Sequence, residues 1–149
     1  MYKKKMVKIR KAEKKDLKEI AEILKIESTK KPYKEKWNSE TAFKQTNNFF
    51  KKQDIYVGII DREIAGFIVI HIDTDNNKKA SINELWLKSK YQGKGIGKAL
   101  VKFAEEKYKQ KGVRKLRLIS DKKSKAFGFY KKLKYNEKKN IVFMEKKLK

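Results

Sequence analysis

The sequence has no cysteine, one histidine and one proline among its 149 residues. Without cysteine the chain can form neither a disulfide nor a thiolate metal site, and it has no cysteine nucleophile. The single histidine, His71, cannot build a histidine cluster alone, so we expect it to pack in a strand and predict no metal site. One proline and seven glycines leave no stretch with the composition of a linker. We therefore expect a single domain over residues 1–149.

Long hydrophobic runs are also missing. The longest, IAGFIVI at residues 64–70, is far shorter than the roughly 20 apolar residues of a membrane helix. The basic N-terminal segment leads into no secretory apolar core. These features predict a cytoplasmic protein with no membrane partner.

Acidic residues are scarce, with 18 Asp and Glu against 42 Lys and Arg, which gives a formal net charge of +24. Such a surface attracts polyanions, so we expect a weak attraction to nucleic acid. The lysines are spread through nearly every segment and do not form one stripe. That spread favours a generally lysine-rich surface over a dedicated nucleic-acid site.

Apolar periodicity predicts the element order β-α-α-β-β-β-α-β-α-β, which is an α/β fold with a central twisted mixed sheet and helices on both faces. The first helix is predicted over residues 13–26, and its apolar face is Leu17, Ile20, Ala21 and Leu24. Asn38 or Ser39 is expected to cap the second helix.

Four further features complete this prediction. The buried side of the second helix is expected to be Ala42, Phe43 and Phe50. Asp61-Arg62-Glu63 is predicted to turn a hairpin, and DTDNNKK at 73–79 to form the next turn. The segment at 141–148 is predicted to be a closing strand.

The most informative stretch is YQGKGIGKAL, residues 91–100, between a predicted strand and a predicted helix. A dinucleotide-binding turn, G-x-G-x-x-G, would need glycine at Lys98. A P-loop would need glycine at Gln92 and Ser or Thr at Ala99. The GXXG clamp of KH domains would need glycine at Ile96. These three signatures therefore fail.

The signature that fits without a mismatch is Q/R-x-x-G-x-G/A, at residues 92–97. It resembles the acetyl-coenzyme A loop of the GCN5-related N-acetyltransferases (GNAT superfamily), and the predicted element order is also that of this family. AFGFYKKLKY at 126–135 is similar to the family ending A-x-x-x-Y-x-k-x-G-F. Lys134-Tyr135 replaces the usual Gly-Phe there, and Lys123 stands where asparagine is frequent.

The resemblance implies an acetyl-CoA-dependent N-acetyltransferase that needs no metal. Glycines let the backbone approach a pyrophosphate, and N–H groups at a helix N-terminus bind its charge. The residues expected to contact acetyl-CoA are Leu85, Trp86, Leu87, Gln92, Gly93, Lys94, Gly95, Ile96, Gly97, Lys98, Ala126 and Tyr130.

Acetyl transfer to an amine requires that the amine lose a proton, that an oxyanion be stabilised and that the departing thiolate be protonated. The resemblance implies that Tyr130 is the general acid, although its helical spacing also suits packing beside Ala126 and Leu133. Strand alternation puts Ile82, Glu84 and Trp86 on one face, where a carboxylate between apolar neighbours has a raised pKa. Glu84 is the candidate general base, or alternatively a structural carboxylate. Since there is no cysteine, direct attack in a ternary complex is the simpler scheme.

The acceptor is expected to contact the loop and second helix at 28–50 and the turn at 74–79. Trp37 to Phe43 faintly resemble family members that acetylate protein N-termini, and only Glu35 and Glu40 supply carboxylates there. A peptide amine or a small neutral-to-acidic amine fits best. The alternative function is a basic RNA- or ribosome-binding module on an inactive scaffold of this kind. The sequence does not decide whether the domain forms a homodimer.

Overall fold

The computed structural model describes residues 6–73 and 78–149. Its strands are β1 (Lys8–Lys11), β2 (Asp54–Ile60), β3 (Glu63–Ile72), β4 (Lys79–Leu87) and β5 (Lys115–Arg117). Its helices are α1 (Leu17–Ser28), α2 (Ser39–Lys52), α3 (Ile96–Gln110) and α4 (Lys125–Lys132). The predicted turn at 73–79 lies largely outside the described residues. None of the described helices combines the length and apolar character that crossing a bilayer requires.

Contacts divide the chain into two compact units, one ending at Ile119 and one spanning Ser120–Lys149. The first unit holds the whole sheet and α1 to α3, and the second holds α4. The expectation of a single domain over residues 1–149 stays a prediction.

The sheet has the order β1-β2-β3-β4-β5. Neighbouring strands from β1 to β4 are antiparallel, and β4 pairs with β5 in parallel after the crossover through α3. Asp61 and Arg62 form the predicted hairpin turn, and both have positive φ (51° and 66°), as a two-residue turn matched to strand twist requires. The mixed α/β fold predicted from periodicity is confirmed.

Helices cover both faces of the sheet in the first unit. On one face, Leu17, Ile20 and Leu24 of α1 pack in a single core cluster with Val57 and Phe67. On the other face, a Cβ placed on Gly58 would lie 3.6 Å from both Ile96 and Leu100 of α3. Because neighbouring residues of a strand point to opposite faces, α1 and α3 lie on opposite sides of β2.

Two local predictions need correction. In α2, Phe43 is 44% exposed, whereas the buried stripe is Ala42, Thr46 and Phe49. These positions follow the i, i+4, i+7 spacing of one helical face, and Phe43 lies beside it. Asn38 is the cap, since its side chain accepts a hydrogen bond from the Thr41 N–H at 2.8 Å.

The predicted closing strand is also absent from the described residues. The side chains of Ile141, Val142, Phe143 and Met144 in that segment are between 68% and 84% exposed. Apolar β-branched residues favour a strand, but a strand needs a hydrogen-bonded neighbour, and no described ladder includes this segment.

The residue that reverses the chain just after helix α4 has a left-handed conformation and is not glycine. Lys134 has a φ of 72°, at the position where the family ending has glycine. A non-glycine residue in this conformation lowers the free energy of unfolding by roughly 1–2 kcal/mol. Glycine removes this strain but recovers only part of the energy, because it also gives the unfolded chain more conformational freedom. We expect Lys134→Gly to raise the free energy of unfolding by about 1 kcal/mol in urea titrations. Lys131→Gly, inside α4, is the control and should instead destabilise; no gain at position 134 would contradict this expectation.

Candidate active site

A β-bulge in β4 sets which way the candidate base points. Ile70 pairs with Ile82, whereas Val69 pairs with Glu84, so Asn83 is an extra residue in β4. The predicted alternation is therefore interrupted at Asn83. Ile82 and Glu84 lie on opposite faces of β4, whereas the sequence predicted that they share one face. Phe67 and Val69 belong to the core cluster on the α1 face, so their partners Trp86 and Glu84 also lie on that face.

Glu84 is half-buried beside Trp86. The indole Nε1 of Trp86 donates a hydrogen bond to Glu84 Oε2 at 2.5 Å. Burial raises the pKa of Glu84 to about 7, against the lowering effect of the Trp86 hydrogen bond and with a further rise from the charge of Glu35. A carboxyl group that titrates near neutrality can exist as a base at cellular pH and is basic enough to accept a proton.

The loop between α1 and α2 packs against Trp86, the hydrogen-bond donor to this carboxylate. The Tyr33 ring meets the Trp86 ring edge-on, with centroids 4.9 Å apart. Trp37 packs against the α1 core cluster and donates from Nε1 to Glu35 Oε2 at 3.3 Å. Sequence reasoning assigned this loop to the acceptor but did not connect Tyr33 with Trp86. The Tyr33 and Trp86 rings and the charge of Glu35 therefore lie beside Glu84.

Near the glycine loop, β4 has a strand neighbour along one backbone edge only, among the described residues. Leu85 pairs with Ile68 and Leu87 with Gly66. The ladder between β4 and β5 ends at Ser81 and Arg117. Among the described residues, the last part of β4 therefore has a strand neighbour on the β3 side only, which leaves the other backbone edge for an extended ligand.

The glycine loop begins α3 in the conformation that an anion site requires. Gly93 and Gly95 have φ of 74° and 86°, and Gly95 is the N-cap of α3. A Cβ on Gly93 would meet no heavy atom within 4 Å, so the space above the loop is open. Ile96 and Gly97 are buried in the first turn, while Lys94 and Lys98 are exposed. The loop therefore fits a pyrophosphate bound by backbone N–H groups at a helix N-terminus.

Two carboxylates that the sequence analysis missed hold the segment before this loop. Glu63 accepts hydrogen bonds from Lys88 and Tyr91 at 2.8 and 2.7 Å and pairs with Lys90 at 2.9 Å. These contacts lower the pKa of Glu63 to about 2, and the hydrogen bond from Lys88 has the largest effect. Glu27 of α1 accepts from Gln92 at 3.1 Å. The sequence does indicate that Glu27 is buried, because it lies on the apolar stripe of α1 with Ile20 and Leu24.

In the second unit, Tyr130 of α4 is 8% exposed. Its ring meets those of Phe129 and Tyr135 edge-on, with centroids 5.0 and 5.4 Å away. Ala126, one turn earlier, is half-buried. Among the described residues, no group of three or more His, Cys, Asp or Glu side chains is placed to hold a metal ion.

The acetyltransferase (GNAT) family model matches residues 18–135. No curated protein matches the sequence. A possible acetyltransferase from Clostridium difficile 630 is 16% identical, with a TM-score of 0.82, and the match covers 96% of this chain and 99% of that one.

Two further solved structures are similar. An N-acetyltransferase (PaiA) from Thermoplasma acidophilum, in complex with coenzyme A, is 26% identical with a TM-score of 0.70, over 86% of this chain and 88% of that one. An aminoglycoside acetyltransferase from an uncultured soil metagenomic sample, in complex with sisomicin, is 22% identical with a TM-score of 0.72, over 96% and 97%. The likeness to the aminoglycoside acetyltransferase is a likeness of fold.

Proposed function

The chain belongs to the acetyltransferase (GNAT) family, and on that premise we propose that it transfers the acetyl group of acetyl-CoA to a primary amine by direct attack in a ternary complex. The observation that carries this proposal is the half-buried Glu84, with a pKa raised to about 7, on the strand that leads into a left-handed glycine loop. Acetyl-CoA would supply the activated acetyl thioester. The chain supplies the binding surfaces and the proton transfers.

On the donor side, the backbone edge at Leu85 to Leu87 holds the extended arm, and the loop at 92–98 holds the pyrophosphate. The open space above Gly93 and the N-terminus of α3 support this assignment. A similar protein, the Thermoplasma N-acetyltransferase, binds coenzyme A, which supports coenzyme A as the donor carrier. The roles of Ala126 and Tyr130 rest on the family ending alone.

On the acceptor side, Glu84 removes a proton from the amine, directly or through water, and is therefore required in its ionised form. The amine approaches between β4 and the α1–α2 loop, and its apolar part packs on Tyr33 and Trp86. Glu35 orients the positive amine before the proton is removed. A small amine or a peptide amine satisfies this geometry, and a protein of similar fold is an aminoglycoside acetyltransferase.

The test is to combine the protein with acetyl-CoA and a panel of amines and peptides and to follow the release of free thiol. A thermal shift with acetyl-CoA and thiol release with at least one amine support the enzyme. Tight, salt-dependent RNA binding without any acetyl-CoA shift overturns it in favour of a basic binding module.

Two glycines form a matched pair for testing the donor loop. Gly93 and Gly112 have φ of 74° and 89°, and a Cβ on either meets no heavy atom within 4 Å. Alanine at either position therefore carries the same backbone strain, about 1–2 kcal/mol. We expect Gly93→Ala to weaken coenzyme A binding by roughly tenfold in calorimetry, because the methyl group enters the space of the pyrophosphate.

Gly112→Ala should lose the same stability without changing coenzyme A affinity. Equal affinities for the two variants would show that Gly93 does not face the ligand.

A further inference from the structure

One buried carboxyl side chain has no part in the proposed acetyl transfer. Glu27 lies in the last turn of α1 and is 7% exposed, in a chain whose acidic residues are otherwise mostly at the surface. A buried carboxylate is tolerated only where hydrogen bonds replace its lost water. The hydrogen-bond donors that replace water around Glu27 therefore indicate its role.

Two donors to Glu27 come from the segment that joins β4 to the glycine loop. The Ser89 hydroxyl lies 3.1 Å from both carboxylate oxygens, and Gln92 Nε2 lies 3.1 Å from Oε1. The same Gln92 nitrogen also donates to the carbonyl oxygen of Leu87 at 3.0 Å. Gln92 therefore joins the end of β4, the loop and α1 at one point.

Lys30 neutralises this carboxylate. Its Nζ lies 3.2 Å from both Glu27 oxygens and also donates to Ser89. An unpaired negative charge directly behind an anion-binding loop would repel a pyrophosphate, and the Lys30 partner removes that repulsion. Glu27 can therefore hold the loop without opposing the ligand.

We propose that Glu27 is a positioning residue for the donor loop: through Gln92 and Ser89 it fixes the glycine loop in the shape that binds acetyl-CoA. This inference rests on the proposed function. It also changes the role of Gln92, because its side-chain amide fixes the turn while the backbone N–H groups after it face the ligand. The acceptor loop starts directly after Glu27, so the same residue fixes one end of each substrate loop.

The test uses coenzyme A as the probe and measures its Kd by calorimetry. We expect Glu27→Ala to raise this Kd by roughly tenfold, because two loop hydrogen bonds to a charged group are lost. Glu27→Gln should restore part of the affinity, since its amide oxygen still accepts from Gln92. Glu22→Ala is the matched control, because Glu22 is on the same helix, exposed, and paired only with Lys25 at 3.5 Å among its described ion pairs.

A double-mutant cycle separates positioning from general stabilisation. If Glu27 acts through Gln92, the loss of affinity in the Glu27→Ala/Gln92→Ala variant is clearly smaller than the sum of the two single losses, the remainder being the Gln92 bond to Leu87. Additive losses, or a folded Glu27→Ala protein with wild-type Kd, overturn the proposal. Should Glu27→Ala not fold, Gln92→Ala and Ser89→Ala answer the same question from the loop side.

Amide hydrogen exchange distinguishes failure of this inference from failure of the proposed function. If the wild-type protein binds no coenzyme A, the proposed function fails, and the unliganded loop is still measurable. Faster exchange at 93–97 in Gln92→Ala and Glu27→Ala, with unchanged exchange in β2, supports positioning by Glu27. Unchanged exchange at 93–97 overturns it.

Discussion

Glu84→Gln should lower kcat by roughly a hundredfold to ten-thousandfold, the range of a lost general base. The wild-type rate should rise with pH through about 7, where Glu84 ionises, and the variant should lack that rise. The ratio of the two rates is largest between about pH 7 and the pKa of the amine, because above that pKa the amine needs no base. Initial rates of thiol release over this range test the expectation.

The same substitution should stabilise the fold. The pKa of Glu84 is raised from its ordinary 4.5 to about 7 by burial, so ionisation is less favourable in the folded protein. The stability that this group contributes is fully present below about pH 4.5 and is lost as pH rises through about 7. Glutamine carries no charge, so the variant should exceed wild type by about 3 kcal/mol at pH 8 and by little at pH 4.

Together the two measurements separate a base from a structural carboxylate. A base gives a large loss of kcat with a gain in stability at high pH. Glu22→Gln is the control, because this exposed carboxylate of α1 is paired with Lys25 and lies in neither proposed substrate site, so it should give neither effect. A small, pH-independent loss of activity in Glu84→Gln would assign Glu84 a structural role.

Tyr130→Phe should lower kcat by roughly a hundredfold or more while leaving the Kd for coenzyme A unchanged, as expected for a lost general acid. The substitution removes only the hydroxyl and keeps the ring that packs on Phe129 and Tyr135. A purely packing role therefore predicts full activity. Pre-steady-state thiol release isolates the chemical step from product release.

Tyr135→Phe is the matched control for this variant. Tyr135 belongs to the same ring cluster, 5.4 Å from Tyr130, and stands where the family ending has phenylalanine. It should retain wild-type kcat. Equal rates for both variants would remove Tyr130 from the acid role and leave the departing thiolate to take its proton from solvent.

Repeating sequence patterns predicted the parts of the fold that depend on local spacing. The stripe Leu17, Ile20 and Leu24 marked α1, and these residues are at most 3% exposed. The position-by-position reading of residues 92–97 identified the family, and Gly95 of that signature answers a backbone requirement, a φ of 86° at the N-cap of α3. Both successes rest on residues close together in the chain.

Features that depend on distant partners were not predictable in the same way. The extra residue Asn83 is defined only by its pairing with β3, and alternation alone put Ile82 on the wrong face. The loop donors to Glu27, Ser89 and Gln92, are more than sixty positions away in sequence. The apolar segment at 141–148 has the composition of a strand, but composition does not supply a neighbour.

The hydrogen bond between Trp86 and Glu84 has a spectroscopic consequence. An indole whose N–H donates to a carboxylate changes its emission when that carboxylate gains a proton. The chain has two tryptophans, Trp37 and Trp86. In a Trp37→Phe variant all tryptophan fluorescence therefore arises from Trp86, beside the candidate base. The protein therefore carries an intrinsic optical probe of the protonation state of Glu84, which can be followed without label, acceptor or turnover.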